Sequence, residues 1–131
     1  MKAGAIAAAA VLLLALGAAA APAGDARRGE IAYQKCYACH AAEPGRNDLS
    51  GPTLHAIVGR PIAAQGFAYS PALAALARQH GRWDAALLDR FIADPDAVAP
   101  GTAMTFPGMR NPAERADLIA YLGTLDVQKE R

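Results

Sequence analysis

Cys36-Tyr37-Ala38-Cys39-His40 is the stretch that decides how the rest of the chain is read. Two thiols three positions apart on one helical turn can add to the two vinyl groups along one haem edge, and the histidine that follows then points at the iron. Two other chemistries use such a pair. A thioredoxin-like redox site would need a βαβ pattern, and half a zinc site would need a second Cys or His cluster at ligand spacing; the sequence contains neither. The chain has 2 cysteines in all, and a disulfide closing so short a loop would constrain the unfolded chain very little. The motif therefore points to covalent haem attachment through Cys36 and Cys39, with His40 on the metal.

Outward from the motif, the text is helix, long loop, helices, loop, helix. Asp25 is the N-cap signal for a helix running through Ala26-Arg27-Arg28-Gly29 to Cys39, with Ile31 and Tyr33 as its apolar contacts and the motif at its C-terminal end. From Ala41 to Gly66 the density of turn residues (Pro44-Gly45, Asn47-Asp48, Gly51-Pro52, Gly59, Pro61) forbids long regular structure and predicts a wrapping loop. Ser70-Pro71 opens a short helix that Gly81 stops after His80. Asp84 caps a segment in which Leu87, Leu88, Phe91 and Ile92 recur at helical spacing, and Asp94-Pro95 ends it. Asp96 to Gly108 reads as a second irregular loop around Met104 and Phe106. Asn111 caps the last helix, with Pro112 in its first turn, Glu114 at the capping-box position and an apolar stripe of Leu118, Ile119, Tyr121 and Leu122. No strand alternation is present, so about four short helices and long loops predict an all-α domain in which a single cofactor serves as much of the core.

The first residues are of another kind. Met1-Lys2, the apolar run from Ala5 to Ala21 and the small-residue exit Ala21-Pro22-Ala23 have the layout of a secretory signal, so residues 1–23 are expected to be removed and 24–131 to form one domain. An uncleaved anchor is the alternative, but the run is mostly alanine and only Val11 to Leu16 is strongly hydrophobic. The whole chain carries 13 Lys plus Arg against 12 Asp plus Glu, and loss of Lys2 with the signal brings the remainder to neutrality. Nothing in that balance suggests nucleic acid.

Further motifs stand in order along the chain: Gly51-Pro52-Thr53-Leu54-His55 with Gly59-Arg60, then Gly66-Phe67-Ala68-Tyr69, Trp83, and Pro100-Gly101-Thr102-Ala103-Met104. With them the chain resembles the class I cytochrome c family, in particular its bacterial and mitochondrial soluble carriers, over nearly all of residues 24–131. The resemblance implies a cytochrome c fold and one haem c held by Cys36 and Cys39. The axial ligands it implies are His40 and Met104, the methionine placed just after Pro-Gly-Thr-x; Met109, its rival, falls where the family carries an aliphatic core residue. It further implies that the Pro52 carbonyl anchors the second ring nitrogen of His40, and that Arg60, Tyr69, Trp83 and Thr102 satisfy the haem propionates. Trp83 and Tyr69 could equally be core aromatics and Arg60 a solvated charge. Gly29 and Tyr121 match the family's crossing of first and last helices. His55 and His80 are expected at loop or surface positions.

The chain also departs from the family. Phe91 falls where many relatives place a tyrosine that bonds the ligand sulfur, and Leu73 falls near a family asparagine, so the distal pocket is expected to be drier and the potential somewhat higher. Asp96, Ala97 and Ala103 stand where mitochondrial relatives have lysines. That reduces the positive ring to Lys35 and Arg110 with scattered arginines, the only other lysine after the signal being Lys129, and predicts weakly salt-dependent association.

The resemblance implies a periplasmic one-electron carrier between a redox protein donor and acceptor, monomeric and without a stable membrane span once the signal is cleaved. A subunit of a larger redox enzyme, or an open-site peroxidase-like or gas-sensing haem protein, are the alternatives.

Overall fold

The computed structural model describes residues 1–5, 8–13, 23–64 and 66–126. Much of the expected signal, including Ala21 and Pro22, lies outside the described residues, as does Lys129. Five α-helices are present among them: α1 (Ala26–Ala32), α2 (Pro71–His80), α3 (Ala85–Ala93), the single turn α4 (Pro95–Val98) and α5 (Pro112–Leu122). A 3-10 turn, Tyr33–Lys35, follows α1. No strand forms among the described residues; one isolated antiparallel bridge joins Pro61 to Arg82. The all-α class is therefore as the periodicity predicts. No described helix is long and apolar enough to cross a membrane.

The capping residues lie where the sequence puts them. Asp25 accepts from the N–H groups of Arg27 and Arg28, Ser70 from that of Leu73, Asp84 from that of Leu87, and Asn111 from those of Ala113 and Glu114. Each thereby satisfies donors that a helix start leaves without an intrahelical partner. Gly81 ends α2 at φ 73°, a conformation that side-chain-bearing residues rarely adopt.

Three local expectations are corrected. The first helix does not run to Cys39: after Ala32 the chain tightens, and Cys36 N–H and His40 N–H donate to the carbonyls of Tyr33 (2.8 Å) and Cys36 (3.0 Å). Ile31 is not a packing residue but 72% exposed, because it lies two positions, about 200°, round the helix from Gly29, which faces α5. The loop after α3 begins with a helical turn, since Asp94-Pro95 ends α3 and also starts α4, the Asp94 carboxylate accepting from Ala97 N–H.

Helices α1 and α5 cross at Gly29. A Cβ there would lie 1.9 Å from the Asp117 carbonyl oxygen and 2.7 Å from Tyr121 Cβ, so only glycine permits the approach. The Tyr121 ring itself packs on Tyr33, with centroids 5.3 Å apart. Buried Asp117 ties the crossing down, accepting from Asp25 N–H at 2.7 Å and from Arg28 Nε at 2.9 Å. Glu114 closes no capping box; its carboxylate pairs with Lys35 across the same helix junction. Below it, Leu76, Leu87, Leu88, Leu118, Leu122 and Leu125 form the apolar core with Ile57, Ile62, Trp83, Phe91 and Met109.

Candidate haem site

His40 is the best-defined element of the site. Its Nδ1 lies 2.7 Å from the Pro52 carbonyl. A carbonyl only accepts, so Nδ1 carries the proton and the Nε2 lone pair of a neutral ring is left free. Burial first, then the nearby Arg60 charge, push the His40 pKa down, against the Pro52 hydrogen bond; the shift favours the neutral ring that a metal ligand requires. Gly51 makes room for it: a Cβ would stand 2.5, 2.7 and 2.9 Å from ring atoms Cε1, Nδ1 and Nε2.

The loop that carries Pro52 is folded back onto the motif by its own hydrogen bonds. Gly51 N–H donates to the Cys39 carbonyl (2.8 Å) and Leu54 N–H to that of Ala41 (2.9 Å). Buried Thr53 donates its hydroxyl to the Glu43 carbonyl (2.6 Å), and its N–H to Asn47 Oδ1 (2.9 Å). The Tyr33 phenol, only 8% exposed, donates to the His40 carbonyl at 2.7 Å. Neither Thr53 nor Tyr33 was singled out from sequence as a residue of the site. Their partners lie 6 to 12 residues away, and no motif encodes those contacts.

Cys36 is half-buried, Cys39 exposed, and both thiols are free. Burial, helped by Cys39 and opposed by Lys35, pushes the Cys36 thiol up to about 11. An attacking thiol of a dithiol oxidoreductase is shifted the other way, so Cys36 is not placed as such a nucleophile.

Arg60 is drawn inward rather than solvated. Its Nη1 donates to the carbonyls of Thr53 (2.8 Å) and His55 (2.9 Å), and its own carbonyl accepts from Trp83 N–H (2.9 Å). Burial lowers its pKa while the neighbouring Tyr69 phenol opposes that shift. Arg60 Nε is buried without a hydrogen-bond partner, a state that costs about 1–3 kcal/mol or more unless an acceptor arrives. A propionate carboxylate is such an acceptor. Trp83 is 6% exposed and meets Phe91 edge-on at 5.0 Å, so its core role holds whatever else its indole does. Half-buried Tyr69 packs on Phe67 at 5.2 Å.

On the second loop, Thr102 N–H donates to the Ala99 carbonyl (2.9 Å), while its hydroxyl accepts from Met104 N–H (3.3 Å). Thr102 thus organises the backbone of Met104, which lies half-buried against the core. Met109 is 3% exposed, with its N–H on the Ile92 carbonyl at 2.9 Å. Arg115 clamps this end, donating to the Met109 and Arg110 carbonyls and pairing with Asp89 at 2.7 Å. Of the two methionines, Met104 is the accessible thioether. His55 sits in the wrapping loop and His80 at the exposed end of α2. The described residues hold no cluster of three His, Cys, Asp or Glu side chains for another metal.

A neutral imidazole held against a glycine, an arginine nitrogen lacking its acceptor and unpaired thiols beside them fit a haem bonded to the chain, which is the architecture of a c-type cytochrome. The family model for cytochrome c matches residues 26–126, and the chain belongs to that family. It is 40% identical over 109 residues to cytochrome c2 of Rhodomicrobium vannielii, covering 82% of this chain and 84% of that one. With cytochrome c of Chlamydomonas reinhardtii it shares 44% over 106 residues, covering 79% and 92%. The solved structure of cytochrome cH from Methylobacterium extorquens superposes with a TM-score of 0.69 at 41% identity, over 77% of this chain and 99% of that one. The chain is accordingly an electron-transfer protein rather than an enzyme, and its cofactor is covalently bound haem c.

Proposed function

We propose that the chain is a periplasmic one-electron carrier, secreted by removal of residues 1–23, whose 24–131 domain holds one haem c through Cys36 and Cys39 with His40 and Met104 as axial ligands. The observation that carries this reading is the 2.7 Å contact of His40 Nδ1 with the Pro52 carbonyl, because it sets the tautomer and aim of a ring that has no other hydrogen bond among the described residues. When bound, the haem supplies an Fe(II)/Fe(III) couple.

The residues do the rest by holding still. Pro52 and Gly51 orient His40; Thr102 sets the Met104 backbone; Arg60 would offer its unsatisfied Nε to a propionate carboxylate, and Tyr69, Trp83 and Thr102 would be the further residues that hold the propionates. Two protein ligands leave no position for substrate, and a rigid frame keeps reorganisation small between the two oxidation states. Phe91, buried at 8% exposure, contributes no hydroxyl to the distal side, which favours the less charged reduced state and a raised potential.

The exposed Cys39 corner is the electron port, where donor and acceptor proteins meet a monomer. Lys35, one of the two cations expected to remain beside it, is bound to Glu114, and an internally paired charge steers partners weakly. Electron-transfer rates are therefore expected to fall only slightly with ionic strength; a steep decline would contradict the surface reading. Intact mass spectrometry of the secreted protein tests the core of the proposal: the expected species is residues 24–131 plus one haem, and Cys36→Ala with Cys39→Ala abolishes the addition. A full-length mass, or haem retained by the double variant, would overturn it.

A further inference from the structure

We propose that Tyr33 is a positioning residue for His40: its buried phenol, by donating to the His40 carbonyl, fixes the main chain of the ligating histidine while Pro52 fixes the ring. The inference rests on His40 being an axial ligand, as proposed above.

Several observations converge on it. The phenol oxygen is 2.7 Å from the His40 carbonyl, and no main-chain N–H among the described residues reaches that carbonyl, so the side chain supplies its partner. The ring is itself fixed, since it packs on Tyr121 with centroids 5.3 Å apart, and Tyr121 Cβ faces Gly29 in the α1/α5 crossing. The crossing of first and last helices is thus linked through one phenol to the backbone that carries the imidazole. His40 is held at two points by groups from two different segments, which restricts its ring to one pose more tightly than Pro52 alone.

Loss of the hydroxyl leaves the His40 carbonyl without its donor. Water that enters to replace it makes the surroundings of His40 more polar. More polar surroundings favour the more highly charged ferric state, so the potential falls.

The experiment compares the wild-type, Tyr33→Phe and Tyr121→Phe holoproteins by redox titration and by NMR of the hyperfine-shifted His40 protons in the ferric form. Tyr33→Phe is expected to keep its c-type haem bands while the oxidised-to-reduced ratio at fixed potential rises at least threefold. That corresponds to a fall of about 28 mV at 59 mV per tenfold for one electron, and the His40 resonances move with it. Tyr121→Phe retains the aromatic contact and removes a hydroxyl that does not touch His40, so it shifts neither quantity. A wild-type potential with wild-type His40 resonances in Tyr33→Phe would overturn the proposal, as would an equal shift in Tyr121→Phe. Should Tyr33→Phe fail to take up haem, the wild type decides. Its Tyr33 hydroxyl proton is expected to exchange slowly and to show a nuclear Overhauser contact with the His40–Ala41 backbone; absence of that contact refutes the bond. Absence of any hyperfine-shifted His40 resonance in the wild type would instead remove His40 from the iron, and the positioning role with it.

Discussion

Replacing Gly51 with alanine probes the cradle of the imidazole directly. The new Cβ would stand 2.5 to 2.9 Å from three atoms of the His40 ring, where ordinary contact begins at 3.4 Å, so ring or loop must yield by about 0.5–1 Å. Gly51 is absent from the glycines with positive φ; alanine therefore suffers no backbone strain, and the reduced freedom of the unfolded chain should on its own stabilise by about 0.4–1 kcal/mol. Against that stand overpacking, about 1–3 kcal/mol, and loss of the bond to Pro52, about 0.5–1.5 kcal/mol. The balance is a destabilisation of about 0.5–4 kcal/mol. In a domain of this size each kcal/mol lowers Tm by about 4–8 °C, which thermal unfolding of the holoprotein followed by far-ultraviolet circular dichroism resolves. The haem bands should shift as well, since His40 is displaced. An unchanged or raised Tm with an unaltered spectrum would show that the ring is not held where the Gly51 geometry puts it.

Gly29→Ala sets helix propensity, which favours alanine by about 1 kcal/mol, against a Cβ only 1.9 Å from the Asp117 carbonyl. Tertiary contact wins, and a lower denaturation midpoint is expected in guanidinium; a higher one would mean that α1 and α5 do not cross here. Arg28, then Asp25 N–H, hold the Asp117 carboxyl below its ordinary 3.8. A depressed pKa contributes stability that is present above the ordinary value and lost as pH falls through the native one. Asp117→Asn is therefore expected to lower Tm at pH 6 and to narrow its gap from the wild type as the pH drops below about 3.8. Parallel Tm–pH curves would count against the Arg28 contact.

Much of the frame is written locally. Asp25, Ser70-Pro71 with Gly81, Asp84, and Asn111-Pro112 each mark a helix end through groups within four residues, and the structure uses every one of them. The motif around Cys36, Cys39 and His40 is equally legible, because its spacing is its chemistry. What the sequence hid depends on distance. The Arg28–Asp117 and Lys35–Glu114 pairs join residues 89 and 79 positions apart, and their existence follows from the helix crossing, not from any pattern. The burial of Arg60 and the orphan state of its Nε depend on the Thr53–His55 loop and Trp83 converging from two segments. The tightening after Ala32 had no glycine or proline to announce it. Asp94-Pro95 was ambiguous for another reason: the same dipeptide stops one helix and starts the next, and only the three-dimensional turn separates the two uses.

The most direct measurement is an optical spectrum of the purified secreted protein, reduced and oxidised, compared with Met104→Ala and Met109→Ala. His40/Met104 ligation predicts c-type haem bands and a weak long-wavelength iron-to-thioether band in the ferric protein. That band disappears in Met104→Ala and survives in Met109→Ala. Haem bands without the thioether band in the wild type, with ready binding of carbon monoxide, would contradict a carrier whose iron is closed on both faces by its own side chains.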